Sequence, residues 1–309
     1  MKIRSFNVNT DKTRLIEVWD RIVKDINPVW TISEEELDSA LAVQGDQTVL
    51  SRDCLIAEDN KGDIIGFALL FKSTKRDSWW LEFKVLPLYF KSKFYVQLFK
   101  SILELANKQY VPKIRFAISK YILKESPLQI KFNEMGLEPI HFDYWMRMDN
   151  FNSIPKINVT PGFDFQKYQK LTDFTNYVKI LNDAFSEHFD FIPFREEEFK
   201  SIHNAGWKGY DVEYWFALEF NNPVGICFLN INPELKHVGI IYTLGVLHSY
   251  HHKGIGSYLL GLGIQSLIDK GCKIIELGVE ANNEKALNLY KKFGFYEVES
   301  LTAISYEIE

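Results

Sequence analysis

The chain has 309 residues, 46% of them hydrophobic and 25% charged, with a formal net charge of −5. At roughly 100–200 residues per domain this length points to two domains, and the composition excludes a disordered or coiled-coil protein. The mild acidic balance argues against a nucleic-acid or membrane-surface binder, and no apolar run approaches the roughly 18 residues needed to span a bilayer.

Residues 1–12 lack the apolar centre of a secretory signal, which places the expected location in the cytoplasm. Cys54, Cys227 and Cys272 are widely spaced and form no CxxC, so they read as small buried hydrophobes, neither a disulfide framework nor a zinc site.

In chain order, an acidic turn at Asp59 to Asp63 leads into a strand at 64–68, and a second strand ends on Val85-Leu86-Pro87. A helix closes on Phe132 to Leu137, and 141–148 alternates as a strand. Asn, Ser and two prolines cluster between Asn150 and Pro161, the pattern of a short linker. Beyond it, 171–187 and 196–202 read as helices, and 214–220 with 224–230 as a hairpin. A continuous apolar strand follows at 238–246. Apolar residues at 260, 264, 267 and 268 then mark a helix that Gly271 stops. A strand at 274–279 precedes a helix carrying Ala286, Leu289, Tyr290 and Phe293, ended by Gly294, and 301–308 is the last strand.

The two halves repeat each other. Gly66 and Gly225, Val85 and Val246, and Gly136 and Gly294 lie 158–161 residues apart, and each half ends on an alternating strand. Self-similarity of this order means duplication. The expected architecture is α/β in two tandem domains, 1–152 and 153–309, each with a mixed, mostly antiparallel sheet flanked by helices.

The segment carrying the chemistry runs His248-Ser249-Tyr250-His251-His252-Lys253-Gly254-Ile255-Gly256-Ser257, between a strand and a helix. Glycines there let backbone N–H groups at a helix N-terminus approach phosphate oxygens. It is neither a Walker loop nor a three-glycine dinucleotide fingerprint. Three histidines in five residues can ligate zinc, but no carboxylate or cysteine lies nearby in sequence, so no metal site is expected.

With these residues in place, His251-x-x-Gly254-x-Gly256 resembles the Arg/Gln-x-x-Gly-x-Gly/Ala pyrophosphate signature of the GNAT superfamily of N-acetyltransferases. Asn283-x-x-Ala286-x-x-Leu289-Tyr290-x-x-Phe293-Gly294-Phe295 resembles that family's second motif. The departure is His251, where the family has Arg or Gln. The resemblance implies two GNAT folds and a site for acetyl-CoA as cosubstrate. His251, His252, Lys253, Gly254, Ile255, Gly256 and Ser257 would hold its pyrophosphate. The strand of Leu244 and Val246 would splay from 274–279 and bond the pantetheine arm, with Asn283 contacting it from the next helix. Tyr290 would be the acid that protonates the departing thiolate.

The base is open, with His188, Glu276 and Glu280 as candidates. Relatives often carry a carboxylate near the positions of Tyr242 and Thr243. Residues 182–189 resemble the acceptor wall of tandem enzymes of the mycothiol synthase type, so His188, Tyr242 and Glu280 are the expected acceptor-site residues.

In the first half, Lys93 and Tyr95 stand where Gly254 and Gly256 stand in the second, and Glu125 and Phe132 replace Asn283 and Tyr290. That half is expected to keep the fold without the cofactor, and a fragment starting near residue 155 to bind CoA alone. Trp30, Trp79 and Trp80 would line a groove or a core. The reading is an acetyl-CoA-dependent N-acetyltransferase acting on a small-molecule or peptide amine, with no nucleic-acid or membrane partner, as monomer or homodimer. A CoA-binding regulator without turnover and an interaction scaffold are the alternatives.

Overall fold

Apolar strands that need cover on both faces set the layering. The computed structural model describes residues 1–28, 31–43, 45–110, 113–152, 154–158 and 160–309, so Trp30 lies outside the described residues. Its first elements are β1 (Lys2–Ser5), α1 (Lys12–Ile26), α2 (Glu34–Val43), α3 (Leu50–Asp53), β2 (Cys54–Glu58), β3 (Ile64–Phe71) and β4 (Trp79–Val85). There follow α4 (Lys93–Lys108), β5 (Ile114–Ser119), α5 (Lys120–Glu125), α6 (Leu128–Glu134) and β6 (Pro139–Met148). Next come β7 (Asp164–Tyr168), α7 (Phe174–Ala184), α8 (Glu196–Gly206), β8 (Asp211–Glu219), β9 (Asn222–Ile231) and β10 (Val238–Val246). The chain closes with α9 (Ile255–Asp269), β11 (Ile274–Glu280), α10 (Glu284–Lys292), β12 (Tyr296–Glu297) and β13 (Ala303–Ile308).

The strand order is β1-β2-β3-β4-β5-β13 in one unit and β7-β8-β9-β10-β11-β6 in the other. Each has one parallel pair, β4 with β5 and β10 with β11, among antiparallel ones. This is the mixed, mostly antiparallel sheet expected for both halves.

The compact units do not follow the division at 152/153. One comprises residues 1–142 and 299–309, the other 143–298. β6 closes the first repeat in sequence, yet it pairs with β11 from Ile275↔Met148 to Glu280↔Asp143, and Met146 and Met148 are buried in the second unit's core. β13 closes the second repeat but pairs with β5 from Ala303↔Ser119 to Ile308↔Ile114, and Ile304 and Tyr306 join the first core. Repeats of one fold present equivalent strand edges, and register follows the buried face, so either terminal strand suits either edge.

In the first unit α4 buries Phe94, Tyr95, Leu98, Phe99 and Ile102 against the sheet, at helical spacing. In the second, α9 buries Ile255, Leu259, Leu260, Ile264 and Leu267. A Cβ on Gly263 would come within 2.9 Å of Leu229 Cδ2, so glycine there lets α9 lie close on β9. The edge strand β7 escaped the sequence reading because most of its side chains face solvent. Cys54, Cys227 and Cys272 are free and buried, and burial pushes each thiol up, which suits the inert role expected of them. Among the described residues no helix is long and apolar enough to cross a membrane.

The opposite face of the second sheet is covered by α7 and α8 through an aromatic cluster around His203, 6% exposed, whose Nε2 lies 2.7 Å from the Tyr214 hydroxyl. Burial lowers the imidazole to about 4. The unfolded chain, near 6.5, therefore binds a proton that the folded one refuses, and stability falls as pH drops from about 6.5 through about 4. The loss at the bottom of that window is about 3 kcal/mol. Thermal unfolding of His203→Leu should show a flatter acid limb than the parent, whatever its Tm at neutral pH.

Candidate active site

β10 and β11 are parallel partners only at Val238↔Ile274, Gly239↔Ile275 and Ile240↔Glu276. A bulge at Tyr242 follows at once in the pairing with β9, where Ile241 faces Leu229 and Thr243 faces Phe228. An extra residue bends its strand and sharpens the local twist, which accounts for the parting of β10 from β11. The gap is a cleft of about 520 Å³, lined among others by Leu244, Val246, Gly256, Gly278, Asn283 and Tyr290. From residue 241 to 246, β10 keeps β9 on one side and shows its other backbone edge to the cleft. Such an edge can accept an extended amide-bearing chain as an added strand.

The loop after β10 has the form of a cradle at the N-terminus of α9. A single 3-10 turn at His248–Tyr250 is followed by His252 at φ 64° and Gly254 at φ 80°, both left-handed. Gly254 is the N-cap of α9 and has no side chain to satisfy the first turn, so the N–H groups of Ile255, Gly256 and Ser257, residues that line the cleft, have no partner within the helix. A Cβ on Gly256 would meet only Val246 Cγ2, at 3.7 Å.

The histidines of this loop have other partners than the sequence suggests. His251 lines the cleft, but its Nε2–H donates to the Val246 carbonyl at 3.0 Å and locks the loop onto the strand end. His248 donates its backbone N–H to Asp183 Oδ2 at 2.7 Å, and its ring Nδ1 is 3.1 Å from the same oxygen, which ties the loop to the end of α7. Among the described residues no group of three potential ligands gathers for a metal. Lys253 does not line the cleft, and its ammonium lies 4.4 Å from the centre of the Tyr250 ring.

From α10, Asn283 spends its Oδ1 on the Ala286 N–H as helix N-cap, leaving its amide NH2 for the cleft it lines. Tyr290 is 7% exposed and also lines the cleft, and burial pushes its phenol up, which keeps it protonated. Of the residues expected at the acceptor site, His188 and Tyr242 line the same cleft, Tyr242 being 61% exposed with its ring 4.7 Å from that of Trp207. Glu280, 9% exposed, is outside the lining but accepts the Phe189 N–H at 2.6 Å and lies 3.6 Å from His188 Nδ1. Glu276 is engaged on both oxygens, with Arg147 Nε at 2.7 Å and Trp145 Nε1 at 2.9 Å, and so drops out as a base.

The sequence reading missed Lys285 and Gly278, which line the cleft, and the latch between Asp183 and His248. Lys285 had a sequence signal, being two residues past Asn283 in the second motif, and Asp183 lies in the 182–189 stretch.

The first unit fills the corresponding space. Phe83, Phe90 and Tyr95 are the counterparts of Leu244, His251 and Gly256, and Tyr95 stacks on Phe83 at 4.8 Å and on Phe90 at 5.8 Å. Phe132, at the position of Tyr290, is buried between Phe99, Phe116 and Tyr306. Trp79 carries the buried Lys72 ammonium 4.1 Å from its ring, with Asp53 2.5 Å from the same nitrogen.

This architecture is the GNAT fold, present twice. A GCN5-related N-acetyltransferase from Sphaerobacter thermophilus superposes with a TM-score of 0.68 at 16% identity, covering 100% of this chain and 95% of that one. A tandem GNAT protein from the clavulanic acid biosynthesis pathway gives 0.72 at 11% identity, covering 100% and 98%. Residues 175–295, within the second unit, match the acetyltransferase (GNAT) family. In sequence the chain is similar to a mycothiol acetyltransferase from Mycolicibacterium smegmatis, 31% identical over 48% of this chain and 51% of that protein. It is also similar to an N-alpha-acetyltransferase from Sulfurisphaera tokodaii, 29% identical over 43% and 80%. The chain spans about half the length of the mycothiol acetyltransferases it matches.

Proposed function

We propose that the protein transfers an acetyl group from acetyl-CoA to an amine in the second unit. The observation that carries this reading is the cleft itself, a parted strand edge ending in the unpaired first turn of α9, with the Tyr290 phenol on its wall. The residues present fit the cosubstrate. N–H groups from Ile255 to Ser257 would hold the pyrophosphate, and the β10 backbone at Leu244 and Val246 with the Asn283 amide would hold the pantetheine. The thioester supplies the activated acyl carbon, and Tyr290 donates a proton to the leaving sulfur. The first unit would bind no CoA, because Phe83, Phe90 and Tyr95 pack where the cradle would be. The relatives bear the names of different acceptors, and the acceptor here is an amine of unassigned identity.

Release of free thiol from acetyl-CoA, measured against polyamines, aminoglycosides, amino sugars and peptides, tests the reading. Saturable, amine-dependent release supports it, whereas CoA binding without release for every amine would favour a regulatory CoA binder. Tyr290→Phe removes only the proton donor. It should lower turnover roughly ten- to a hundredfold while the KM for acetyl-CoA stays within a few-fold, since a thiolate is already a tolerable leaving group. Parent-like turnover would make Tyr290 a packing residue.

A further inference from the structure

The loop between α7 and α8 is fixed at points that bear on chemistry. Asn182 clamps it, accepting the Phe194 N–H on Oδ1 and donating Nδ2–H to the Phe194 carbonyl, both at 2.9 Å. At its start the His188 ring packs 4.6 Å from the Phe185 ring and lines the cleft. Glu280 reaches this loop from the end of β11 and is held by the Phe189 N–H. Among the described residues, Glu280 supplies the carboxylate within 4 Å of His188.

Resting on the acetyl-transfer reading, we propose that His188 takes the proton from the acceptor ammonium and that Glu280 is its positioning residue. A carboxylate facing Nδ1 keeps the ring proton on that nitrogen and leaves Nε2 as the basic one. The two groups stand 3.6 Å apart, longer than a hydrogen bond, and catalytic hydrogen bonds often shorten only when substrate is bound. The other chemical candidates are weaker. Glu276 is neutralised by Arg147, and Tyr242 offers a phenol, a poor proton acceptor from an ammonium at neutral pH. Other titratable groups around the cleft are Tyr242 from β10, Lys285 and Tyr290 from α10, and Tyr250, His251 and His252 from the cradle loop.

The step balances as follows. The ammonium gives one proton to His188 Nε2, and the freed nitrogen lone pair forms the N–C bond at the thioester carbon. The C–S bond breaks with its electron pair on sulfur, which takes the Tyr290 proton. The second amine proton, lost as the nitrogen becomes an amide, restores Tyr290, and His188 passes its proton to solvent.

Two measurements test this. The first is the tautomer of His188 in the full chain at neutral pH, read from long-range proton–nitrogen NMR of the seven imidazoles, with His188 assigned by its absence in His188→Gln. The parent should carry the ring proton on Nδ1, facing Glu280, and Glu280→Gln, which keeps an acceptor for the Phe189 N–H but removes the carboxylate, should weaken that preference. A parent ring protonated on Nε2 would overturn the pair. The second is thiol release from acetyl-CoA with 2-aminoethanol, which is an ammonium at neutral pH, and methoxyamine, which is already neutral. His188→Gln should lower kcat about a hundredfold with 2-aminoethanol, with the KM for acetyl-CoA within a few-fold. Its loss with methoxyamine should be at least tenfold smaller. Glu280→Asp should recover part of what Glu280→Gln loses. Equal losses with both amines would show that His188 only shapes the cleft. No amine-dependent release in the parent would overturn acetyl transfer and the proton role with it, while the His188 tautomer would still report the pair.

Discussion

Gly256→Tyr should leave the fold intact and weaken CoA binding at least a hundredfold. The backbone tolerates a side chain there, since a Cβ meets only Val246 Cγ2, at an ordinary contact distance. The first unit already folds with Tyr95 at this place, its ring fully buried between Phe83 and Phe90. In the second unit the phenol would enter between Leu244 and His251, where the cradle faces the cleft. It would displace a diphosphate from the N–H groups of Ile255, Gly256 and Ser257. Hydrogen bonds to charged groups contribute roughly 1.5–3 kcal/mol each, so losing two or more amounts to about a hundredfold or greater. Calorimetric titration with CoA reads the affinity, and thermal unfolding should show a Tm near or above the parent's. A folded variant binding CoA as tightly as the parent would sink both the acetyltransferase and the CoA-regulator readings.

The same comparison shows what the sequence made legible. The repeat offset located the cradle, its filled counterpart and the helix of Tyr290, because each depends on local spacing of glycines and apolar residues. The stop signals at Gly271 and Gly294 are real left-handed turns, at φ 87° and 93°. Contacts distant in sequence stayed hidden. His188 and Glu280 were separate candidates, and nothing in either segment says that they meet across 92 residues. The histidines after β10 suggested charge for a phosphate, but the Val246 carbonyl holds the His251 ring and Asp183 holds His248. Strand partnership was the deepest omission. Alternation reveals which face of β6 or β13 is buried, but not whose edge it pairs with.

That exchange of strands reverses the expectation for fragments. Residues 155–309 lack β6, the partner of both β11 and β12, and leave β13 without β5. The fragment would expose core that Met146 and Met148 cover, 1% and 0% exposed in the intact chain. Burying each is worth about 1.5–3 kcal/mol, before the pairing of six residues on β11 is counted. Against a usual total of roughly 5–15 kcal/mol, this loss is enough to abolish cooperative folding. Fragment 155–309 should therefore show no sharp thermal transition and no CoA binding. Residues 139–298 contain every strand of the second unit and the whole cleft, so they should unfold cooperatively and bind CoA within a few-fold of the full chain. Circular dichroism melts and calorimetry on the two fragments decide the matter. Cooperative melting and parent-like CoA affinity in 155–309 would mean that β6 is dispensable, and that the second repeat completes its sheet with its own terminal strand.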